Sequence, residues 1–143
     1  MTSDPLQAVL ALRRRAVEEG RRALAESMEA AAAAAKEARA AELAITREMQ
    51  RASAIDGSDS LVEAFASWLP AARQRAAQAQ ARQDRQEAEV ARCRADYTVC
   101  RTALEATEKL IEARQAARAQ EEARQEQREL EDHSVRRPVD RNG

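Results

Sequence analysis

Two strict seven-residue series constrain this chain more than any other feature. In the first half Leu10, Val17, Leu24, Ala31, Ala38, Ile45 and Ala52 recur at every seventh position. Leu6, Ala34 and Ala41 lie on a companion line that Arg13 and Gly20 interrupt. In the second half Val90, Tyr97, Leu104 and Ile111 repeat the spacing, with Cys93, Cys100 and Thr107 beside them. An α-helix turns once in 3.6 residues, so groups that recur every seven form one narrow stripe, which another helix can cover. A stripe of this width cannot coat a round core.

Composition sharpens the point. The apolar class is 44% of 143 residues, but 35 of these are Ala and only 28 are larger apolar or sulfur-containing side chains. Leu, Ile, Val and Phe number 21, a level at which disorder becomes the reading when net charge is high. Here the net charge is -1, and Ala, Arg, Glu and Gln, all strong helix formers, accompany just three Gly and three Pro. Long helices whose seams cover one another satisfy both facts.

The pattern also excludes functions. No apolar run approaches the roughly 20 residues that span a bilayer, and Pro5 to Leu12 is broken at once by Arg13, Arg14 and Arg15. The expectation is a cytoplasmic chain with neither a secretory signal nor direct membrane insertion. Near-neutral charge argues against DNA binding, which calls for a net basic face. There is no Gly-rich phosphate loop, no zinc-ligand cluster and no compact Ser-His-carboxylate set, and the one histidine, His133, reads as a surface residue. Catalytic, metal and cofactor-binding residues are therefore expected to be absent. Cys93 and Cys100, seven apart on one helix, are about 10 Å apart along its axis and read as small packing groups.

The chain divides once. Asp4 before Pro5 suits a helix start, a capping carboxylate followed by a residue with no N–H to leave unpaired. Ile55-Asp56-Gly57-Ser58-Asp59-Ser60 is the central break: Gly57 suits a left-handed helix end, and Ser60 with Glu63 suits a capping box. The expected architecture is all-α, a long antiparallel two-helix coiled-coil hairpin in one domain over residues 1–143. Helix 1 covers about 5–53, the turn about 54–60, helix 2 about 61–132 and a loose tail 133–143. Pro70 predicts either a kink after Ala66 or a short helix from Leu61 to Trp68 that restarts. The run Ala30 to Ala35 permits close helix approach.

Helix lengths of roughly 74 Å and 108 Å follow at 1.5 Å per residue. If Ala52 lies near Val62, Leu6 lies near residue 108, and residues 112–132 overhang with no partner in the chain. That overhang alternates Arg with Glu and keeps almost no seam beyond Leu130 and small alanines, so it is either a fraying end or a segment for a partner. Near the turn, Val62, Phe65 and Leu69 either pack on Ile45 and Met49 under Trp68, or leave Trp68 as an exposed anchor. The Arg-rich stretch from Ala71 to Ala103 carries seven Arg against four acids, and reads first as a solvated face of weak ion pairs.

Several segments together resemble the FliJ/YscO family of flagellar and virulence-associated type III secretion. They are Leu6-Gln7-Ala8-Val9-Leu10, the turn in the fifties, Leu61-Val62-Glu63-Ala64-Phe65-Ala66-Ser67-Trp68-Leu69, and the charged run Glu121 to Asp132 followed by Arg136 and Arg137. The resemblance implies a non-enzymatic antiparallel coiled coil similar to the central stalk of rotary ATPases. It implies as partners the hexameric secretion ATPase, an export-gate protein and substrate chaperones, with peripheral association at the membrane apparatus through those proteins. Carried over, Leu6, Leu10, Leu110, Ile111, Arg114, Arg118, Arg124 and Leu130 would face the ATPase, and Trp68, Ala72, Arg75 and Ala79 the export gate. Pro70 and the wealth of Ala and Arg depart from the flagellar pattern and leave open which secretion system is served. A monomer is expected. The alternatives are a structural homodimeric coiled coil, its chains nearly continuous through 56–60, and an RNA-binding adaptor.

Overall fold

The computed structural model describes residues 4–54 and 59–136, and those residues form two helices, α1 (Pro5–Ala54) and α2 (Asp59–Arg136). No strand occurs among the described residues. Gly57 and its expected left-handed conformation lie outside them. α1 starts as its sequence demands. The Leu6 amide donates to Asp4 Oδ1 at 3.1 Å, the Gln7 amide donates to the Asp4 carbonyl at 2.9 Å, and Pro5 has no amide to satisfy.

α2 begins at Asp59, which places Ser60 in its first turn, and it continues four residues past Asp132 to Arg136. It passes through Pro70 without interruption. Pro70 deprives the Ala66 carbonyl of its usual donor, but both residues are exposed, so water replaces the missing bond.

The chain forms two compact units, one from the two ends, up to Arg14 and from Arg101, the other from Arg15–Cys100. In the larger unit two cross-helix approaches define the pairing. The space where a Cβ of Gly20 would stand lies 3.5 Å from Tyr97 Cδ2, and Arg82 Nη1 donates to Glu37 Oε2 at 2.9 Å. As the α1 number rises the α2 number falls, so the helices are antiparallel, and the paired numbers add to 117 and 119. The expected register, with Ala52 near Val62, adds to 114. The pairing is displaced from it by about one helical turn, because Gly20 receives a ring for which the expected register reserved no hole.

Burial follows a 3-4 alternation along both helices. On α1 the seam runs Val17, Gly20, Leu24, Ser27, Ala31, Ala34, Ala38, Ala41, Ile45, Glu48 and Ala52, all buried or half-buried. On α2 the same alternation links Phe65, Leu69, Ala72, Ala76, Ala79, Gln83, Gln86, Val90, Cys93, Tyr97 and Cys100. Among described residues no large side chain is fully buried, and five of the seven buried apolar residues are alanines. Dispersion over small, close contacts and the high helix propensity of Ala thus replace the bulky core of a globular domain.

Polar groups enter the seam without loss because each bonds to its own helix. Buried Ser27 donates from Oγ to the Leu24 carbonyl at 2.8 Å. In the smaller unit buried Thr107 donates from Oγ1 to the Ala103 carbonyl at 2.9 Å. That unit buries Leu10 and half-buries Leu6, Leu104 and Ile111. Beyond Ile111 every described side chain of α2, from residue 112 to 136, is exposed.

Candidate functional site

No group of three His, Cys, Asp or Glu side chains is placed to hold a metal among the described residues, and His133 is exposed on α2. Cys93 is buried, Cys100 half-buried, and both are free thiols on the seam. No described helix is long and apolar enough to cross a membrane. What the structure offers is surface, and two regions stand out.

The first is the solvent-facing part of α2. Arg114, Arg118 and Arg124 are exposed, and Leu130 is 71% exposed. Leu110 is 46% exposed at the base of this segment, while Ile111 is half-buried. Continuing the seam alternation past Ile111 gives Arg114, Arg118, Glu121, Gln125, Arg128 and Asp132, so the stripe that pairs helices elsewhere becomes charged here. Leu10, assigned by resemblance to the same surface, is 8% exposed. It packs within the smaller unit and has no free face to offer, because it falls on the seven-residue series.

The second region lies just after the turn. The Phe65 and Trp68 rings approach at 6.0 Å between centroids, tilted by 39°, and both are half-buried. They line a cleft of about 370 Å³ with Leu61, Ala64, Ala52, Glu48 and Arg51. Arg51 and Glu48 form an ion pair at 3.6 Å on its rim. Met49 is 50% and Val62 54% exposed, so these two are not packed beneath Trp68 as one of the two expected arrangements requires; Glu48 and Ala52 line the cleft with the aromatic pair instead. Of the four residues assigned to a gate-facing patch, Trp68 and Arg75 reach solvent. Ala72 and Ala79 are 4% and 9% exposed. Seven apart on the seam, they face the partner helix rather than a partner protein.

Electrostatics is local. Arg92 bridges Glu89, one turn before it, and Asp96, one turn after it at 3.1 Å. The hydrogen bond from Arg92 holds the Glu89 carboxyl below the usual carboxylate range, and the same bond raises the Arg92 guanidinium further above its already high value. Arg21 is raised in the same way by its hydrogen bond to Glu18. Arg82 with Glu37 ties the two helices together across exposed flanks.

A family model described as flagellar FliJ protein matches residues 2–143. The chain belongs to the FliJ family. No curated protein and no solved structure matches it. FliJ-family membership carries a non-catalytic role, that of a general central-stalk or adaptor protein in type III protein export, and ties the chain to the secretion ATPase complex.

Sequence reading missed four polar seam residues, Ser27, Glu48, Gln83 and Gln86, and the pairing of Gly20 with Tyr97. Ser27 was open to discovery: it stands seven residues after Gly20 and seven before Ala34, so the companion line continues through Gly20, while Arg13 is exposed and remains an interruption. The two glutamines gave no apolar signal. Both are half-buried, and the methylene stem of a glutamine can cover surface as an apolar group would.

Proposed function

We propose that this FliJ-family chain is the stalk of a type III secretion ATPase. The end that carries its termini engages the ATPase hexamer and promotes its assembly or activity, and the region after the turn links it to the export gate and to substrate chaperones. One observation carries the reading: α2 continues for 25 residues past Ile111 with every side chain in solvent. A helix that long extends about 38 Å. Isolated helices are marginal without packing, so such a segment acquires stabilising contacts when a partner surrounds it.

On this reading Leu110, Arg114, Arg118, Arg124 and Leu130 contact the ring. The guanidinium groups present planar forks to subunit carboxylates and carbonyls, with no demand that the stalk bind nucleotide. Leu6, Leu10 and Ile111 hold the base of the segment together. At the turn-proximal region Trp68, with Arg75 on exposed α2 surface, forms the gate-facing patch, while Ala72 and Ala79 set the helix spacing beneath it.

Deletion of residues 112–143 tests the ATPase end. The remaining hairpin is expected to keep its helicity per residue and to lose stimulation of the ATPase; full stimulation by the shortened chain overturns the assignment. Trp68→Ala tests the other region. It is expected to weaken gate binding more than it lowers Tm, whereas a large fall in Tm with unchanged binding makes Trp68 a packing residue.

A further inference from the structure

The seam of the larger unit fits itself in two registers. In the observed one, whose paired numbers add to 117, large side chains meet small ones. Tyr97 faces Gly20, with 3.5 Å between the ring and the space of a Cβ. The same register sets Leu24 against Cys93 and Ile45 against Ala72. Because each helix carries two lines of seam residues offset by three or four positions, a slide of half a heptad again brings seam to seam.

Sliding in the direction that lowers the sum to about 114 gives Val17 facing Tyr97, Leu24 facing Val90 and Ile45 facing Leu69. Small residues then meet small ones, Ala34 with Ala79 and Ala38 with Ala76. Three layers become large with large and four small with small, while Glu48 comes to face Phe65. The opposite half-heptad slide makes just one large-with-large layer in this unit, Leu24 with Tyr97, and sets Glu48 against Ala72 and Ile45 against Ala76. Few features lock the observed register. No described large side chain is fully buried, and the cross-helix ion pair of Glu37 with Arg82 has both side chains more than half exposed.

We infer that the hairpin is a two-register switch, in which α1 slides along α2 by half a heptad between a large-with-small seam and a large-with-large seam. The displacement is about 5 Å along the axis, and it exchanges one discrete packing for another. Resting on the proposed stalk role, the slide gives a long helical protein a means of coupling a change at one binding region to another. The switch itself is a property of the isolated chain.

Engineered disulfides read the register directly. In a Cys93→Ala, Cys100→Ala background three pairs are compared: Gly20→Cys with Tyr97→Cys for the observed register, Val17→Cys with Tyr97→Cys for the slid one, and Leu24→Cys with Tyr97→Cys as a slide of similar size in the opposite direction. The first pair is well placed, since a Cβ at Gly20 lies 3.8 Å from Tyr97 Cβ, the mean spacing in disulfides. Circular dichroism confirms helicity before oxidation, and only cross-links within monomers are scored.

In a glutathione redox buffer the 20/97 pair should dominate. The 17/97 pair should form at about 0.1–10% of its equilibrium constant, the range of a populated minor state, and at least about tenfold above 24/97. Adding Ala72→Leu, which crowds Ile45 in the observed register but faces Ala41 in the slid one, should raise 17/97 cross-linking about tenfold or more. A 17/97 pair no better than 24/97, or one indifferent to Ala72→Leu, overturns the switch. Loss of ATPase stimulation by the residue 112–143 deletion bears on the stalk role alone, so the two ideas fail separately.

Discussion

Gly20 sits where a methyl group fits. Its missing Cβ would meet Tyr97 at 3.5, 3.6 and 3.8 Å, ordinary van der Waals distances, inside a helix where glycine costs about 1 kcal/mol relative to alanine. Gly20→Ala is therefore expected to stabilise the hairpin by about 0.5–1 kcal/mol, seen as a higher Tm; a fall in Tm would mean that Tyr97 needs more room than these distances allow. Charge at a single residue gives a second test. Glu89 is held below the usual carboxylate range by its bond from Arg92. A depressed carboxyl contributes stability above its unfolded-state pKa of about 4.3, and that contribution disappears as pH falls through the lower folded value. Arg92→Gln should raise the Glu89 midpoint in a carbon-detected NMR titration and make this part of the acid response vanish. An unchanged midpoint would show that the bond does not persist in solution.

At the scale of the element, Pro70 is the one residue that argues against the helix containing it. α2 accommodates it because Ala66 and Pro70 both lie on the solvent side, but the missing amide remains a local weakness near the aromatic cleft. Pro70→Ala should restore the bond to the Ala66 carbonyl and stabilise α2 by about 1–3 kcal/mol, with slower hydrogen exchange over residues 66–74. If exchange there does not slow, the helix around Pro70 was already as closed as its neighbours. Both helices were legible in the sequence because propensity and the seven-residue series act over dozens of residues, and the starting cap at Asp4 was legible because it is chemistry local to three residues. Register was not. The series repeats every half heptad, so apolar spacing alone admits pairings that add to 114 or to 117, and the choice rests on whether Tyr97 prefers Val17 or the hole at Gly20. The same ambiguity misplaced the aromatic cluster: Phe65 and Trp68 were recognisable as a site, but Glu48 and Ala52 as its floor depend on the register. Ala72 and Ala79 were mistaken for surface because alanine is equally at home on either face of a helix, and only their spacing from Phe65 marks them as seam.

For the whole molecule, the uneven distribution of packing predicts an uneven melt. α1 has 50 residues and α2 has 78, and the 25 residues from 112 to 136, about one-third of α2 and about one-fifth of the two helices together, are exposed at every side chain. Those 25 residues are held by hydrogen bonds within their own helix, such as Gln127 to Glu131 and Ser134 to the Glu131 carbonyl, and helices so isolated unfold gradually instead of cooperatively. Thermal denaturation of the full chain followed at 222 nm should begin with a sloping loss of about one-fifth of the helical signal, then show one cooperative transition from the paired seam. Deleting residues 112–143 should remove the slope and leave the midpoint of the transition in place, since no seam contact is lost. A midpoint that falls by more than a few degrees would mean that the exposed segment packs on the paired helices in solution. Adding the purified secretion ATPase at concentrations above its Kd should turn the slope into a protected, later-melting component, because a partner that binds only the ordered helix stabilises it by mass action. A slope unaffected by saturating ATPase would separate helix exposure from ATPase recognition and move the binding surface elsewhere on the chain.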